Sequence, residues 1–471
     1  MQPNATPPRE AGVAGADPRR WRVLLVVSIA VFMASLDLFI VNIAFPEIAK
    51  DFSGADVAEL SWVLNAYAIV FAALLVAAGR LADRLGRRRA FLGGLLLFVS
   101  ASALCGIAPS IETLVAARVI QAIGAAVLLP TSLALLLPEF DAQERATAIG
   151  IWAAVGGVAA ATGPPLGGLL VEASWRLVFL VNLPVGLLAA FYGARILRET
   201  RDESARWPDW LGTALLTGSI GALALGLVKA PDWGWDGTAT LAAFAAAVAG
   251  LAWFWSRSGR HPSPVVDREM LRVRSFALAN LAAILFSAAF AAMLLAGVLF
   301  QTGVWGDSVL RAGIQLAPGP LMAAIFAARS GRFAERAGER FRAGAGCALF
   351  ALGSAWWLWQ LDPSAGYVDG LLPGMLVTGI GVGLTLPALA SAAASSLPPT
   401  RFATGSAVLT MSRQIGFVLG VAILVAILGD GADFDGAWLF MIVAAALGSV
   451  AALAIGPVRV AMPMPAAPAQ A

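Results

Sequence analysis

Charge is scarce in this 471-residue chain: Asp, Glu, Lys and Arg together make up 13% of it, against 59% hydrophobic residues. Thiols and imidazole are scarcer still, with two cysteines, Cys105 and Cys347, and one histidine, His261. The cysteines lie far apart in apolar runs, so neither a disulfide nor a metal site is indicated, and both are expected to pack as small residues. His261 stands beside Pro262 in a polar stretch and makes a poor ligand or proton shuttle, so proton chemistry in the apolar part falls to carboxylates. The sequence contains no His/Cys cluster, nucleophile motif or GxxxxGK[ST] phosphate loop, which argues against an enzyme and against ATP-driven transport. A net charge of +3 would suggest nucleic acid in a soluble chain. Here the arginines sit between apolar segments, where the positive-inside rule expects them, and neither a nucleic-acid partner nor a cofactor is called for.

The sequence is rich in apolar runs of membrane-spanning length. These predict fourteen helices near 21–45, 61–80, 90–108, 112–137, 147–170, 176–197, 209–229, 238–256, 276–300, 311–328, 342–361, 368–392, 402–428 and 437–457, an all-α polytopic membrane protein. Residues 1–20, rich in Pro, Ala and charge, are expected to form a disordered cytosolic tail and not a signal peptide, with a second tail at 458–471. That placement puts 26 of the 32 basic residues on the cytosolic side, leaving Lys50, Arg176, Lys229 and Arg311 outside and Arg118 and Arg413 within spans. Both termini are therefore expected in the cytosol.

GRLADRLGRRR, Gly79 to Arg89, interrupts the apolar pattern, and GRFAERAGER repeats it from Gly331. Gly79, Arg80, Asp83, Arg84 and Gly86 correspond to Gly331, Arg332, Glu335, Arg336 and Gly338 at a constant offset of 252 residues, the mark of two related halves. Six helices at this spacing take roughly 190 residues, so about sixty have been inserted. The expected division is a six-helix bundle over 21–198, two inserted helices with a linker over 199–275, and a second bundle over 276–457. Two six-helix bundles about a pseudo-two-fold axis are a usual design for a secondary transporter. Gly79 and Gly86 allow tight backbone passage, and Asp83 can accept hydrogen bonds from arginines or face a helix N-terminus; the alternative is a merely topogenic positive loop, which the five arginines, Arg80, Arg84 and Arg87 among them, serve unaided.

Three spans carry further signals. LDLFIVNIAFP, Leu36 to Pro46, contains Asp37, the only carboxylate placed well inside a span, with Asn42 after it. A charge there costs about 2.5–3.5 kcal/mol on insertion scales and marks function by default. Asp37 lies about fifteen residues, roughly 23 Å, from the cytosolic end, in the outer half of its helix. It either exchanges protons or recognises a cation, or is bonded structurally to backbone or Asn42. RVIQAIGAA places Arg118 and Gln121 in the fourth span; Arg118 either pairs with Asp37 and Gln121 or snorkels outward near Glu112. The fifth span carries Gly150 and then Gly163-Pro164-Pro165-Leu166-Gly167-Gly168, small residues and prolines that permit close, bent packing.

These elements resemble the major facilitator superfamily, and fourteen spans suggest its drug:proton antiporter family. The resemblance implies that the Gly79 and Gly331 loops gate the cytosolic side, that Asp37, Arg118 and Gln121 take part in proton coupling, and that the glycine-rich fifth helix serves antiport. Ala122 and Ala159 stand where the family has glycine. Arg413-Gln414 resembles a family element of the thirteenth helix, either a gating group or a packing pair. The implied protein is a monomeric, multi-pass transporter of the cell membrane. It exports drugs or other hydrophobic or cationic small molecules at the expense of the proton gradient; the alternative is proton-coupled transport of one endogenous solute such as a sugar, siderophore or secondary metabolite.

Overall fold

The computed structural model describes residues 18–456 apart from 53, 55, 142, 143, 203, 204, 399, 400 and 430–432, and without the side chains of 18, 146, 330–337, 402 and 403. The expected tails fall outside these residues, except that the first helix already begins at Pro18. Sixteen α-helices and no strand are found among the described residues: α1 (Pro18–Asp51), α2 (Val57–Leu85), α3 (Arg87–Gly106), α4 (Ile111–Leu136), α5 (Arg145–Ala173), α6 (Leu177–Leu180), α7 (Asn182–Ile196), α8 (Trp210–Trp233), α9 (Thr238–Ser258), α10 (Arg268–Arg272), α11 (Arg274–Gly303), α12 (Val309–Leu316), α13 (Pro318–Gln360), α14 (Leu372–Ser395), α15 (Phe402–Leu428) and α16 (Phe434–Leu453). Thirteen segments among the described residues are long and apolar enough to cross a membrane. The span expected at 342–361 is the helical run that follows Gly338 within α13.

Helix starts follow local chemistry. Asp56, Ser110, Asp209, Ser308 and Asp433 each cap a helix by accepting a backbone N–H with the side chain. Breaks obey longer-range rules. The sixth span divides into α6 and α7 ahead of Pro184, the tenth divides at Ala317 ahead of Pro318, and α13 kinks at Gly338, whose non-helical backbone separates two helical runs in the second Gly-Arg loop. Gly338 has φ 70°, and its counterpart Gly86, which ends α2 and begins α3, has φ 115°. Only glycine takes such backbone angles at little cost, so the two loops agree in backbone as well as in sequence.

The first seven helices pack on one another, chiefly α2 and α3 on α4 and α1 on α5 and α7, while α11 and α13–α16 form a second group. The groups meet where α2 lies against α15 and α5 against α12, with α1 touching α11. The hairpin α8–α9 leans through α8 on both α2 and α15, so it lies across the seam. One end of the molecule, formed by residues 80–89, 195–202, 205–206, 257–274, 329 and 338–342, carries most of the arginines whose side chains are described and is termed the arginine-rich face.

Candidate functional site

Asp37 of α1 and Arg118 of α4 are each 1% exposed, and the guanidinium Nη1 donates to Asp37 Oδ2. Further hydrogen bonds hold the pair. Arg118 Nε donates to the Val63 carbonyl at 3.0 Å, Nη1 also donates to Gln121 Oε1 at 2.6 Å, and Gln121 Nε2 donates to Asp37 Oδ1 and Ser102 Oγ, both at 2.9 Å. The guanidinium stacks over Tyr67, 4.1 Å from its centroid. Four helices, α1 to α4, thus supply one polar knot inside an apolar bundle. A buried charge pair needs such hydrogen-bonded support, and removing one partner costs about 3–5 kcal/mol. Burial rules out the alternative in which Arg118 reaches the surface near Glu112. Tyr67, Ser102 and the Val63 carbonyl complete the knot, and the sequence does not single them out. Their signal there is weak, a hydroxyl or an ordinary valine in an apolar run.

Asn42 does not join this group. Its amide donates to the Leu38 carbonyl of its own helix at 2.7 Å, and its side chain lines a central cavity. That cavity, about 60 Å³, is walled by both groups of helices, with Phe39, Asn42 and Pro164 on one side and Phe290, Trp357 and Met375 on the other. Trp438, 1% exposed, also lines it and has an indole N–H without an acceptor among the described residues.

The glycines of α5 divide into two sets. A methyl group at Gly163 would lie 2.7 Å from Phe39 Cβ, at Gly167 2.9 Å from Ile40 Cγ1, and at Gly168 2.8 Å from the Cα of Leu310 in α12. In return, a methyl group at Gly313 of α12 would lie 2.4 Å from the Pro164 carbonyl oxygen. This half of α5 seals the seam on the face opposite the arginines. Gly150, at the other end, is in open space: a methyl group there would meet nothing within 4 Å among the described residues.

At the arginine-rich face the loop Gly79 to Arg89 grips the chain leading to and from the α8–α9 hairpin. Arg84 donates to the Ala205 carbonyl at 2.8 Å and stacks on Trp207 at 4.6 Å, and Arg80 donates to the Ser263 carbonyl at 2.7 Å. The backbone N–H groups of Arg88 and Arg89 donate to Glu199 at 3.1 and 3.2 Å, against which Gly86 is pressed: a methyl there would be 2.6 Å from Glu199 Oε1. Asp83 accepts from Arg87 Nε at 2.7 Å within the loop, and among the described residues no hydrogen bond joins its carboxylate to a helix N-terminus. With Gly79, Arg80 and Arg87 it lines a cavity of about 330 Å³ that Thr404, Ser406 and Thr410 of α15 complete. Beyond Ser263, Asp267 and Glu269 pair with Arg401 at 3.2 and 3.1 Å. In the second loop Gly331, Glu335 and Arg336 lie outside the residues whose side chains are described.

The family model of the Major Facilitator Superfamily matches residues 27–209 and 210–421. Among curated proteins, the chain is 35% identical over 408 residues to the multidrug resistance protein Stp of Mycobacterium tuberculosis, covering 86% of this chain and 75% of that protein. It is 32% identical over 440 residues to the methylenomycin A resistance protein of Bacillus subtilis, covering 92% and 93%. It is 36% identical over 435 residues to the puromycin resistance protein pur8 of Streptomyces alboniger, covering 89% and 84%. The nucleoside transporter NupG shares the fold at TM-score 0.66 and 12% identity, covering 93% of this chain and 99% of that one. A bacterial homologue of the human lysosomal transporter Spinster does so at TM-score 0.67 and 18% identity, covering 93% and 98%.

Proposed function

The chain belongs to the major facilitator superfamily, as a drug-efflux transporter of that family, and we propose that it exports hydrophobic small molecules in exchange for protons, with the arginine-rich face in the cytosol and the two related bundles of the monomer rocking about the α2–α15 and α5–α12 contacts. The observation that carries the proton part is the buried set Asp37, Arg118 and Gln121. It is neutral while Asp37 is ionised. A proton entering from the outer side and binding the carboxylate leaves Arg118 without its counter-ion, so the guanidinium must find a new arrangement with Gln121, the Val63 carbonyl and Tyr67. That is a local change of one charge in a low-dielectric setting, large enough to bias a two-state packing. Closure of the outer side by Gly163, Gly167, Gly168 and Gly313 supports a conformer reached from the cytosol, in which the central cavity takes up substrate. The resistance and export roles of the relatives support outward transport.

The test uses everted vesicles containing the chain and energised to an acid interior. Accumulation of a hydrophobic dye with dye-dependent proton flux is expected, and dye accumulation that persists unchanged after the gradient is collapsed by an ionophore would refute the coupling.

A further inference from the structure

Of the thirteen membrane-crossing segments, only three charged side chains among the described residues lie seven or more positions from either end: Asp37, Arg118 and Arg413. The first two neutralise each other. Arg413 does not fit that pattern. It stands eleven residues into α15, about 17 Å along the helix, and has no hydrogen bond, ion pair or ring contact among the described residues; its Nε is enclosed without an acceptor. Next to it, Gln414 is 7% exposed with its amide oxygen also unpaired. An uncompensated guanidinium at this depth is expensive and by default belongs to a ligand site.

Its position on the helix says which site. Residues three and four apart share a helix face. Thr410, three before Arg413, lines the 330 Å³ cavity at the arginine-rich face, and Phe417, four after it, lines a small cavity shared with Asn42, Asn65 and Arg118. Long side chains lean toward the N-terminus of their helix, which aims the guanidinium toward Thr410 and the larger cavity. Arg413 itself lines neither cavity; along α15 it lies between Thr410 of the larger one and Phe417 of the smaller one. A cationic molecule finds no free carboxylate among the described mid-span residues, because Asp37 is held by Arg118 and Gln121.

Building on the export reading above, we propose that Arg413 is a specificity-determining residue that binds an ionised acidic group of the transported molecule, and that the favoured substrates are apolar bodies bearing a carboxylate or an equivalent anion. The guanidinium fork matches a carboxylate in charge and in geometry.

The experiment measures binding to the purified full chain by energy transfer from its tryptophans to three pyrene probes that share one apolar body: 1-pyrenebutyrate, its methyl ester, and a pyrenemethyl trimethylammonium salt. Wild-type protein is expected to bind the carboxylate at least tenfold more tightly than the ester and the ester no more weakly than the cation. Arg413→Gln should weaken only the carboxylate, to the level of the ester, and Arg413→Lys should recover part of the preference. Equal binding of the three probes by wild-type protein would overturn the proposal, and that comparison needs no variant to fold. So would an equal loss of all three in Arg413→Gln, the mark of a packing role, or displacement of pyrenebutyrate by equimolar chloride or phosphate, the mark of an inorganic anion site. Export is tested separately in energised everted vesicles: uptake of the ester without any charge preference leaves the exporter standing and removes the anion site. An intact binding order without uptake of any probe does the reverse.

Discussion

Asp37 and Arg118 face each other across the α1–α4 contact with neither residue more than 1% exposed, and Gln121 is wrapped around both. Asp37→Asn therefore removes the titrating group and strands a buried guanidinium at once. Gradient-driven efflux is expected to fall to background, whereas exchange of labelled for unlabelled substrate without a gradient continues. Destabilisation of about 3–5 kcal/mol is expected as well, read as an earlier thermal unfolding midpoint. Full proton-coupled activity in this variant would remove Asp37 from the coupling role.

The two loop glycines make a graded prediction. Gly86→Ala meets both an unfavourable backbone angle and the Glu199 carboxylate, whereas Gly338→Ala meets the angle alone because nothing described lies within 4 Å. Strain of this kind costs roughly 1–3 kcal/mol, so Gly86→Ala should lower the unfolding midpoint further than Gly338→Ala. Equal shifts would mean that Glu199 yields freely.

On α5, Gly168→Val drives a branched side chain into the backbone of Leu310 and should hold the seam apart on the face opposite the arginines. A cysteine introduced at Leu310 then becomes at least tenfold more reactive to an impermeant maleimide added from that side. Gly150→Ala fits the present conformer without a clash, so it should leave that reactivity and the unfolding midpoint unchanged; any loss of transport it causes reports a contact made only in another conformer.

Arg84 holds the approach to the inserted hairpin by a carbonyl and by the face of Trp207. A double-mutant cycle over Arg84→Ala and Trp207→Ala should give a coupling of about 0.5–1 kcal/mol, the scale of an exposed cation–π contact. Zero coupling would assign the hold to the Ala205 carbonyl alone.

The polar knot is largely legible in the sequence because an apolar run exposes its few polar members: Asp37, Arg118 and Gln121 stand out before any contact is known. Their neighbours do not. Which of many hydroxyls and carbonyls meets Gln121 depends on how α2 and α3 are rotated against α4, a matter of packing that no local pattern records. Asn42 keeps other company than Asp37 despite its place in the same motif, since five residues turn a helix by roughly 140° and aim it away. The second loop shows the limit of punctuation signals. Of the two spaced glycines in each loop only the second interrupts the helix: α2 runs through Gly79 to end at Gly86, and α13 is helical through Gly331 and kinks at Gly338, where non-helical backbone separates two helical runs.

The short stretch from Ser263 to Asp267 is held at one end by Arg80, from the first group of helices, and at the other by Arg401, from the second. Four residues fully extended reach only about 14 Å. While both grips hold, this stretch acts as a leash: the two sides of the molecule can part at the arginine-rich face by no more than its slack. A wider opening requires one of the arginines to let go first.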